Sequence, residues 1–194
     1  DVAEAMERER ERGRRPYYFP VGASVPLGCW GYVRCMHELA GQLGRDTDVD
    51  VYVTVGSSGT IAGAVLGRAL LGLDRWRVVG VPISDSVEFF RNDVRSLIDN
   101  TVKQFGLDLT EAQTPLELVD GYIGEGYAIP FPSALALVRT VARAEGILLD
   151  PTYTGKAFAG FVDQVRAGNV RPGATPVFIH TGGAFGLMAR RDLF

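Results

Sequence analysis

Lysine, histidine and cysteine are scarce in this sequence of 194 residues. There are two histidines and two cysteines, and Lys103 and Lys156 are the only lysines. Cys29 and Cys35 are too few for a disulfide framework and lack the spacing of a CxxC motif, which favours a reducing, cytoplasmic location. So few histidines and cysteines, scattered along the chain, also argue against a zinc site.

Clusters of positive charge and long apolar runs are absent as well. The net charge is −3, which gives no electrostatic reason to expect nucleic-acid binding, because such a surface needs grouped lysines and arginines. No apolar run approaches the length of about 20 residues that a membrane-spanning helix needs, and no segment resembles a signal peptide. The hydrophobic content of 46% is enough for the core of one domain, or of most of a larger one.

Residues 1–15 are rich in charge and have no apolar face. Acidic residues balance the arginines, and Glu4 and Arg8 have the spacing of an ion pair on a helix, so we predict a solvent-exposed helix. The sequence starts at Asp1 and not at Met, and the segment is typical of the middle of a helix. We therefore expect the chain to be a piece of a longer polypeptide.

Short apolar segments alternate with amphipathic segments through the rest of the chain. Strands are predicted at 17–21, 51–55, 78–83, 116–119 and 176–180, and helices at 30–43, 60–71, 87–105, 133–145 and 156–167. This alternation predicts an α/β fold with a parallel sheet flanked by helices. Ligands of such sheets bind at the C-terminal ends of the strands, where the loops after Val55 and His180 would lie.

The most informative stretch is VYVTVGSSGTIAG, residues 51–63, a strand that runs through a loop of small residues into a helix. Such a loop brings N–H groups and hydroxyls together at a helix N-terminus, where the helix dipole favours an anion. We predict that Gly56, Ser57, Ser58, Gly59 and Thr60 hold a phosphate. The spacing matches neither a Walker loop nor a GxGxxG fingerprint. On the loop alone, a tight turn without a ligand is the alternative.

A serine hydrolase would need a histidine beside its nucleophile. His37 falls on the apolar face of the helix predicted at 30–43, where we expect a histidine packed in the core. His180 is the only other histidine, so the sequence gives little support to a serine hydrolase.

Several further motifs lie before and after this loop in a specific order. Tyr153-Thr-Gly-Lys156 stands in LLDPTYTGKAFAG, His180-Thr-Gly-Gly183 stands in VFIHTGG, and YYFPVGASVPLGCWGY and Gly126-Tyr-Ala-Ile-Pro130 precede them. Together with GSSGT, these segments resemble the pyridoxal-phosphate (PLP) enzymes of the D-cysteine desulfhydrase and 1-aminocyclopropane-1-carboxylate (ACC) deaminase family. The resemblance covers essentially the whole chain. It implies a C-terminal portion of the enzyme with an incomplete large domain of the tryptophan synthase β-like fold. Residues 1–15 would be the end of the preceding small domain, and residues 16–194 would be a portion of the PLP-binding large domain.

The resemblance also implies roles for individual residues. Gly56 to Thr60 would bind the phosphate of PLP, and Tyr127 and Tyr153 would be catalytic groups on the substrate side of the ring. Thr154 or Thr181 would lie near the pyridine nitrogen, with Gly182 as a further cofactor contact. Nearby positive charge could lower the pKa of a phenol from its usual value of about 10 and allow proton transfer at the amino-acid carbons. The alternative is that each tyrosine only donates or accepts a hydrogen bond.

Thr154 and Thr181 help to choose within the family. ACC deaminases resemble one another in carrying a glutamate at the first position and a leucine at the second. A neutral hydroxyl near the ring nitrogen supports a weaker electron sink, which suffices for loss of hydrosulfide but not for opening a carbon ring. The resemblance therefore implies removal of the Cα proton of D-cysteine, β-elimination of hydrosulfide, and release of pyruvate and ammonia.

The Schiff-base lysine of the family lies in an upstream Gly-Asn-Lys segment that this sequence lacks. Lys103 is predicted on the polar side of a helix, and Lys156 matches a family position that is not the Schiff-base lysine. We therefore expect no catalysis from this chain alone, and expect it to need the upstream small-domain segment. Relatives of this kind are usually homodimers that act on a small amino acid. A catalytically silent α/β module that binds a phosphorylated ligand, or serves in assembly, is the alternative.

Overall fold

A computed structural model describes residues 1–194. The helices are α1 (Val2–Glu11), α2 (Pro26–Leu43), α3 (Gly59–Leu70), α4 (Val87–Phe105), α5 (Pro132–Glu145), α6 (Thr154–Arg166) and α7 (Ala184–Ala189). The strands are β1 (Val49–Val55), β2 (Trp76–Pro82), β3 (Glu117–Leu118) and β4 (Thr175–Ile179). None of the helices combines the length and the apolar character needed to cross a membrane.

The strands form one sheet in the order β3-β2-β1-β4, and every neighbouring pair is parallel. Val49 at the start of β1 pairs with Trp76 of β2 on one side and with Thr175 of β4 on the other. The predicted parallel α/β fold is therefore confirmed. The C-terminal ends of β1 and β4 lie at the same edge, so the loops that follow them are neighbours.

Strand β1 is buried along its whole length because helices cover both faces of the sheet. Val51, Val53 and Val55 pack with residues of α2, α3 and α4 in the larger apolar cluster. Tyr52, which points to the opposite face because side chains alternate along a strand, packs with Ala157 of α6. Thus α3 and α6 lie on opposite faces of β1.

Helix α4 begins and ends at the residues that the sequence predicts, 87 and 105. Ser86 is the N-cap, and its side chain accepts a hydrogen bond from the N–H of Phe89 at 3.1 Å. Gly106 ends the helix in the left-handed conformation, with φ of 59°. Both features are local, which is why the sequence predicts them well.

Two local predictions are wrong. Residues 17–21 form no strand but an extended segment that enters a 3₁₀ turn at Val21–Ala23. Pro16 and Pro20 have no N–H to donate to a sheet, and the aromatic side chains between them are exposed. His37 is exposed and not packed in the core, because the buried face of α2 runs through Val33, Met36 and Ala40 and leaves His37 beside it.

The structure also differs at the start of α2 and near the end of the chain. Helix α2 begins at Pro26, earlier than predicted, because proline is favourable at the first helical position, where its missing N–H costs nothing. Helix α7, at Ala184–Ala189, is absent from the sequence prediction.

Candidate active site

A cavity of about 340 Å³ lies at the C-terminal edge of the sheet, at the lower end of the range for small-molecule sites. The predicted site residues that line it are Gly56, Ser57, Thr60, Tyr153, Thr154, Thr181 and Gly182. Its walls thus come from the loop after β1, the N-terminus of α6 and the loop after β4. These segments are far apart in the sequence, and the parallel sheet brings them together.

The glycine-rich loop presents only part of itself to the cavity. Ser57 and Thr60 line it, whereas Ser58 is buried and its hydroxyl donates a hydrogen bond to Asp93. The N–H of Gly59 donates to the Ser24 hydroxyl at 3.0 Å. The predicted phosphate-binding residues Ser58 and Gly59 therefore hold the loop in its conformation through these hydrogen bonds and do not line the cavity.

The turn at Val21–Ala23 approaches this loop very closely. Gly22 has a φ of +68°, and a Cβ atom there would lie 2.2 Å from the Ser57 hydroxyl oxygen. Only glycine permits both the conformation and the contact. The segment that the sequence predicts as a strand thus becomes one wall of the cavity.

Asp150 is a buried carboxylate in the cavity wall that the sequence prediction missed. Its Oδ2 accepts from the N–H groups of Thr152 and Tyr153 at 2.8 and 2.9 Å, and its Oδ1 accepts from the N–H of Thr154 at 2.7 Å. These bonds and the dipole of α6 stabilise the negative charge without a cationic partner. The Asp-Pro pair at 150–151 is typical of a turn in which an aspartate accepts from the following N–H groups, and it is the signal that could have identified Asp150.

The hydroxyl of Thr154 is bound to the same carboxylate. It donates to Asp150 Oδ1 at 2.8 Å and accepts from the Asp150 N–H at 3.0 Å. The Gly182 carbonyl, at 3.4 Å, is a more distant acceptor. Since a hydroxyl has one proton, the Thr154 oxygen can only accept a hydrogen bond from a further partner.

The two predicted catalytic tyrosines contact each other. Their hydroxyls are hydrogen bonded, and their ring centroids lie 5.8 Å apart with the planes at 68°. Tyr153 lines the cavity, whereas Tyr127 is 54% exposed and lies beyond its wall. The structure thus brings the two predicted residues together, and only Tyr153 borders the cavity.

The pKa of Tyr153 is raised, whereas from the sequence we expect it to be lowered. Burial, the hydrogen bond with Tyr127, and the charges of Tyr127 and Asp150 raise the pKa of Tyr153 to about 12. No cation is among the causes, because no lysine or arginine lines this cavity. Tyr153 is therefore a neutral phenol at physiological pH.

Neither lysine reaches the cavity. Lys103 is exposed on α4. Lys156 is fully buried, and its Nζ donates to the carbonyls of Ile123 and Gly126 at 2.7 and 2.8 Å. Burial lowers the pKa of Lys156. Its ammonium group links α6 to the loop that carries Tyr127.

Thr54, near the end of β1, is a second residue that the sequence prediction missed. Its side chain is 6% exposed and lines the cavity, and its hydroxyl has no hydrogen-bond partner in the protein. Buried polar atoms almost always have partners. A free hydroxyl in the wall, together with Ser57 and Thr60 at a helix N-terminus, fits a polar, phosphorylated ligand.

The family of pyridoxal-phosphate dependent enzymes matches residues 1–182, and the chain belongs to this family. Among its relatives is a D-cysteine desulfhydrase of Yersinia enterocolitica, which is 39% identical over 189 residues, 97% of this chain and 56% of that protein. The crystal structure of an ACC deaminase homologue superimposes with a TM-score of 0.84 at 36% identity, covering 99% of this chain and 57% of the other. An O-ureido-L-serine synthase, at 19% identity and a TM-score of 0.54, shares the fold.

These similarities confirm the predicted family, the tryptophan synthase β-like fold and pyridoxal phosphate as the cofactor of the family. The chain spans little more than half the length of the relatives that it matches, as 56% coverage of the desulfhydrase illustrates.

Proposed function

We propose that this chain is the cofactor-binding large-domain portion of a PLP-dependent lyase that eliminates hydrosulfide from D-cysteine, or deaminates a related small amino acid. The observation that carries the proposal is the cavity between the N-termini of α3 and α6, lined by Ser57 and Thr60 on one side and by Tyr153 and Thr154 on the other. The 39% identity to a protein named D-cysteine desulfhydrase supports the choice of substrate.

In this proposal, Gly56, Ser57 and Thr60 bind the phosphate group through hydroxyls and N–H groups at the N-terminus of α3. Ser58 and Gly59 support the loop through their contacts with Asp93 and Ser24. When bound, pyridoxal phosphate supplies an electron sink for the Cα carbon of an amino acid. Thr154, Thr181 and Gly182 would contact the ring at the opposite end of the cavity.

Tyr153 is suited to donate a hydrogen bond. Its raised pKa keeps the hydroxyl protonated, and the hydrogen bond with Tyr127 orients it. In the elimination, the Cα–H proton passes to a base and the electrons of that bond form a Cα=Cβ double bond. The Cβ–S bond breaks, and the sulfur leaves as hydrosulfide with the electron pair of that bond and the proton of the thiol. We propose that Tyr153 donates a hydrogen bond to the departing sulfur, with Tyr127 as its hydrogen-bond partner.

The base and the Schiff-base lysine would come from outside this chain. The positions of Lys103 and Lys156, both away from the cavity, support this proposal. Helix α1 has no buried residue, which is consistent with the proposed end of a preceding small domain. The predicted homodimer and the cytoplasmic location stay predictions. A catalytically silent module is less well supported, because the polar cavity and the tyrosine pair are intact.

The test uses the full-length protein that carries this chain, reconstituted with PLP. We expect visible absorbance from bound cofactor and release of sulfide and pyruvate from D-cysteine, with L-cysteine and ACC as comparison substrates. A protein that stays colourless would exclude the enzyme proposal. A coloured protein that deaminates ACC and leaves D-cysteine unchanged would retain the cofactor assignment and overturn the substrate.

A further inference from the structure

Thr54 is the one cavity-lining side chain with a buried hydroxyl that has no partner. Leaving a buried polar atom without a hydrogen bond destabilises a protein, so such an atom in the wall of a cavity indicates a ligand. We infer that Thr54 is a further cofactor-binding residue, which donates a hydrogen bond to the ring side of the cofactor and not to its phosphate. This inference rests on the proposed function.

The direction of the Thr54 side chain follows from β1. Side chains alternate along a strand, so Thr54 shares a face with Tyr52. Tyr52 packs against Phe161 of α6, with ring centroids 5.1 Å apart. Val53 and Val55 point to the other face, in the cluster that includes α3. The hydroxyl of Thr54 therefore lies on the α6 side of the strand, across from the loop proposed to bind phosphate.

The hydrogen bonds on the α6 side of the cavity distinguish Thr54 from Thr154. The single proton of the Thr154 hydroxyl is donated to Asp150, so this hydroxyl can only accept from a ligand. The proton of the Thr54 hydroxyl is free. A pyridine nitrogen without a proton is an acceptor and needs a donor. Thr181 also lines the cavity with a hydroxyl that donates to no protein group, but it is exposed, so water can serve as its partner. Thr54 is the buried hydroxyl that can supply the donor, and it has no other partner.

The test measures two effects of Thr54→Val in the full-length protein: its effect on the stability of the cofactor-free protein and its effect on the affinity for PLP. Valine has nearly the same shape and no hydroxyl, so the cofactor-free protein should melt at the same temperature or higher. The same change should raise the dissociation constant for PLP about tenfold, the effect of one lost hydrogen bond. Thr54→Ser, which retains the hydroxyl, is the matched control and should stay close to the wild type. Binding is measured by fluorescence titration, without substrate.

Binding of pyridoxal, which lacks the phosphate, tests whether Thr54 contacts the ring side of the cofactor or its phosphate. The penalty of Thr54→Val should persist with pyridoxal, and a penalty that disappears would overturn the assignment to the ring side. An unchanged affinity for PLP in Thr54→Val would overturn the inference, whereas the proposed function would stand if Ser57→Ala/Thr60→Ala still weakened binding. A wild-type protein that fails to bind PLP would overturn both.

Discussion

Ser57 and Thr60 carry the two hydroxyls of the glycine-rich loop that face the cavity. Changing both to alanine should weaken PLP binding by at least about a hundredfold, because each charge-assisted hydrogen bond to a phosphate is worth about 1.5–3 kcal/mol and about 1.4 kcal/mol is a tenfold change in affinity. Equilibrium dialysis with the full-length protein measures the change.

Ser58→Ala provides the matched control in the same loop. Its hydroxyl is bonded to Asp93 and does not line the cavity. The variant should lose some stability and retain its affinity for PLP within about threefold, since no hydrogen bond to the ligand is removed. An equal loss of affinity in Ser58→Ala and in the double variant would contradict the assignment of the phosphate contacts.

The raised pKa of Tyr153 predicts that the free energy of unfolding depends on pH. Its folded-state pKa of about 12 lies above the ordinary value of 10.0, so its contribution to stability is fully present below pH 10 and is lost as the pH rises toward 12. In that window the unfolded chain releases the proton and the folded chain retains it. Tyr153→Phe should therefore lose less stability than the wild type between these two pH values.

Urea unfolding at a series of pH values measures this difference. Tyr52 and Tyr122 also have raised pKa values, because of burial, and they affect both proteins equally. Identical slopes in the wild type and in Tyr153→Phe would show that the phenol is not perturbed. Tyr127→Phe, which leaves the Tyr153 hydroxyl but removes its hydrogen-bond partner, should give an intermediate slope.

At the level of elements, Lys156 connects helix α6 to the loop that carries Tyr127. Its buried ammonium donates to the carbonyls of Ile123 and Gly126, and the second of these precedes Tyr127 directly. Lys156→Met should lower the free energy of unfolding by about 2–4 kcal/mol, because two buried carbonyls lose their donor. Amide exchange in residues 121–130 should become faster.

Lys103→Met is the control for Lys156→Met, since Lys103 is exposed on α4. It should change stability by less than about 0.5 kcal/mol, as is usual for exposed positions. Slow exchange that persists in residues 121–130 of Lys156→Met would mean that the loop holds its conformation without the lysine. Contacts other than those of Lys156 would then hold the tyrosine pair in place.

Elements with strong local signals were predictable. Strand β1 and helices α3 and α4 have the expected type, and their ends differ little from the prediction, since apolar periodicity and capping residues act within a few positions. The conformation of residues 17–21 was not predictable, because an aromatic, apolar segment has the pattern of a strand whether or not a neighbouring strand pairs with it. The two prolines, which cannot donate to a sheet, outweigh that pattern.

Across the whole molecule, the sequence by itself determined the alternation of strands and helices, the parallel sheet and the order of the family's motifs. It also identified most of the residues that line the cavity, since the loops after β1 and β4 must meet at the C-terminal edge of a parallel sheet. These conclusions depend on local residue patterns and on a rule of topology. The comparisons with relatives agree with them.

Only the tertiary structure decided which hydroxyl has a free proton and which does not. Ser58 bonds to Asp93, 35 positions away, Thr154 bonds to a carboxylate buried by the loop after β4, and Thr54 has no partner. It also determined the raised pKa of Tyr153, which depends on burial and on Tyr127. Hydrogen bonds and pKa values follow from distances between segments that are remote in sequence, and residue patterns along the chain do not encode those distances.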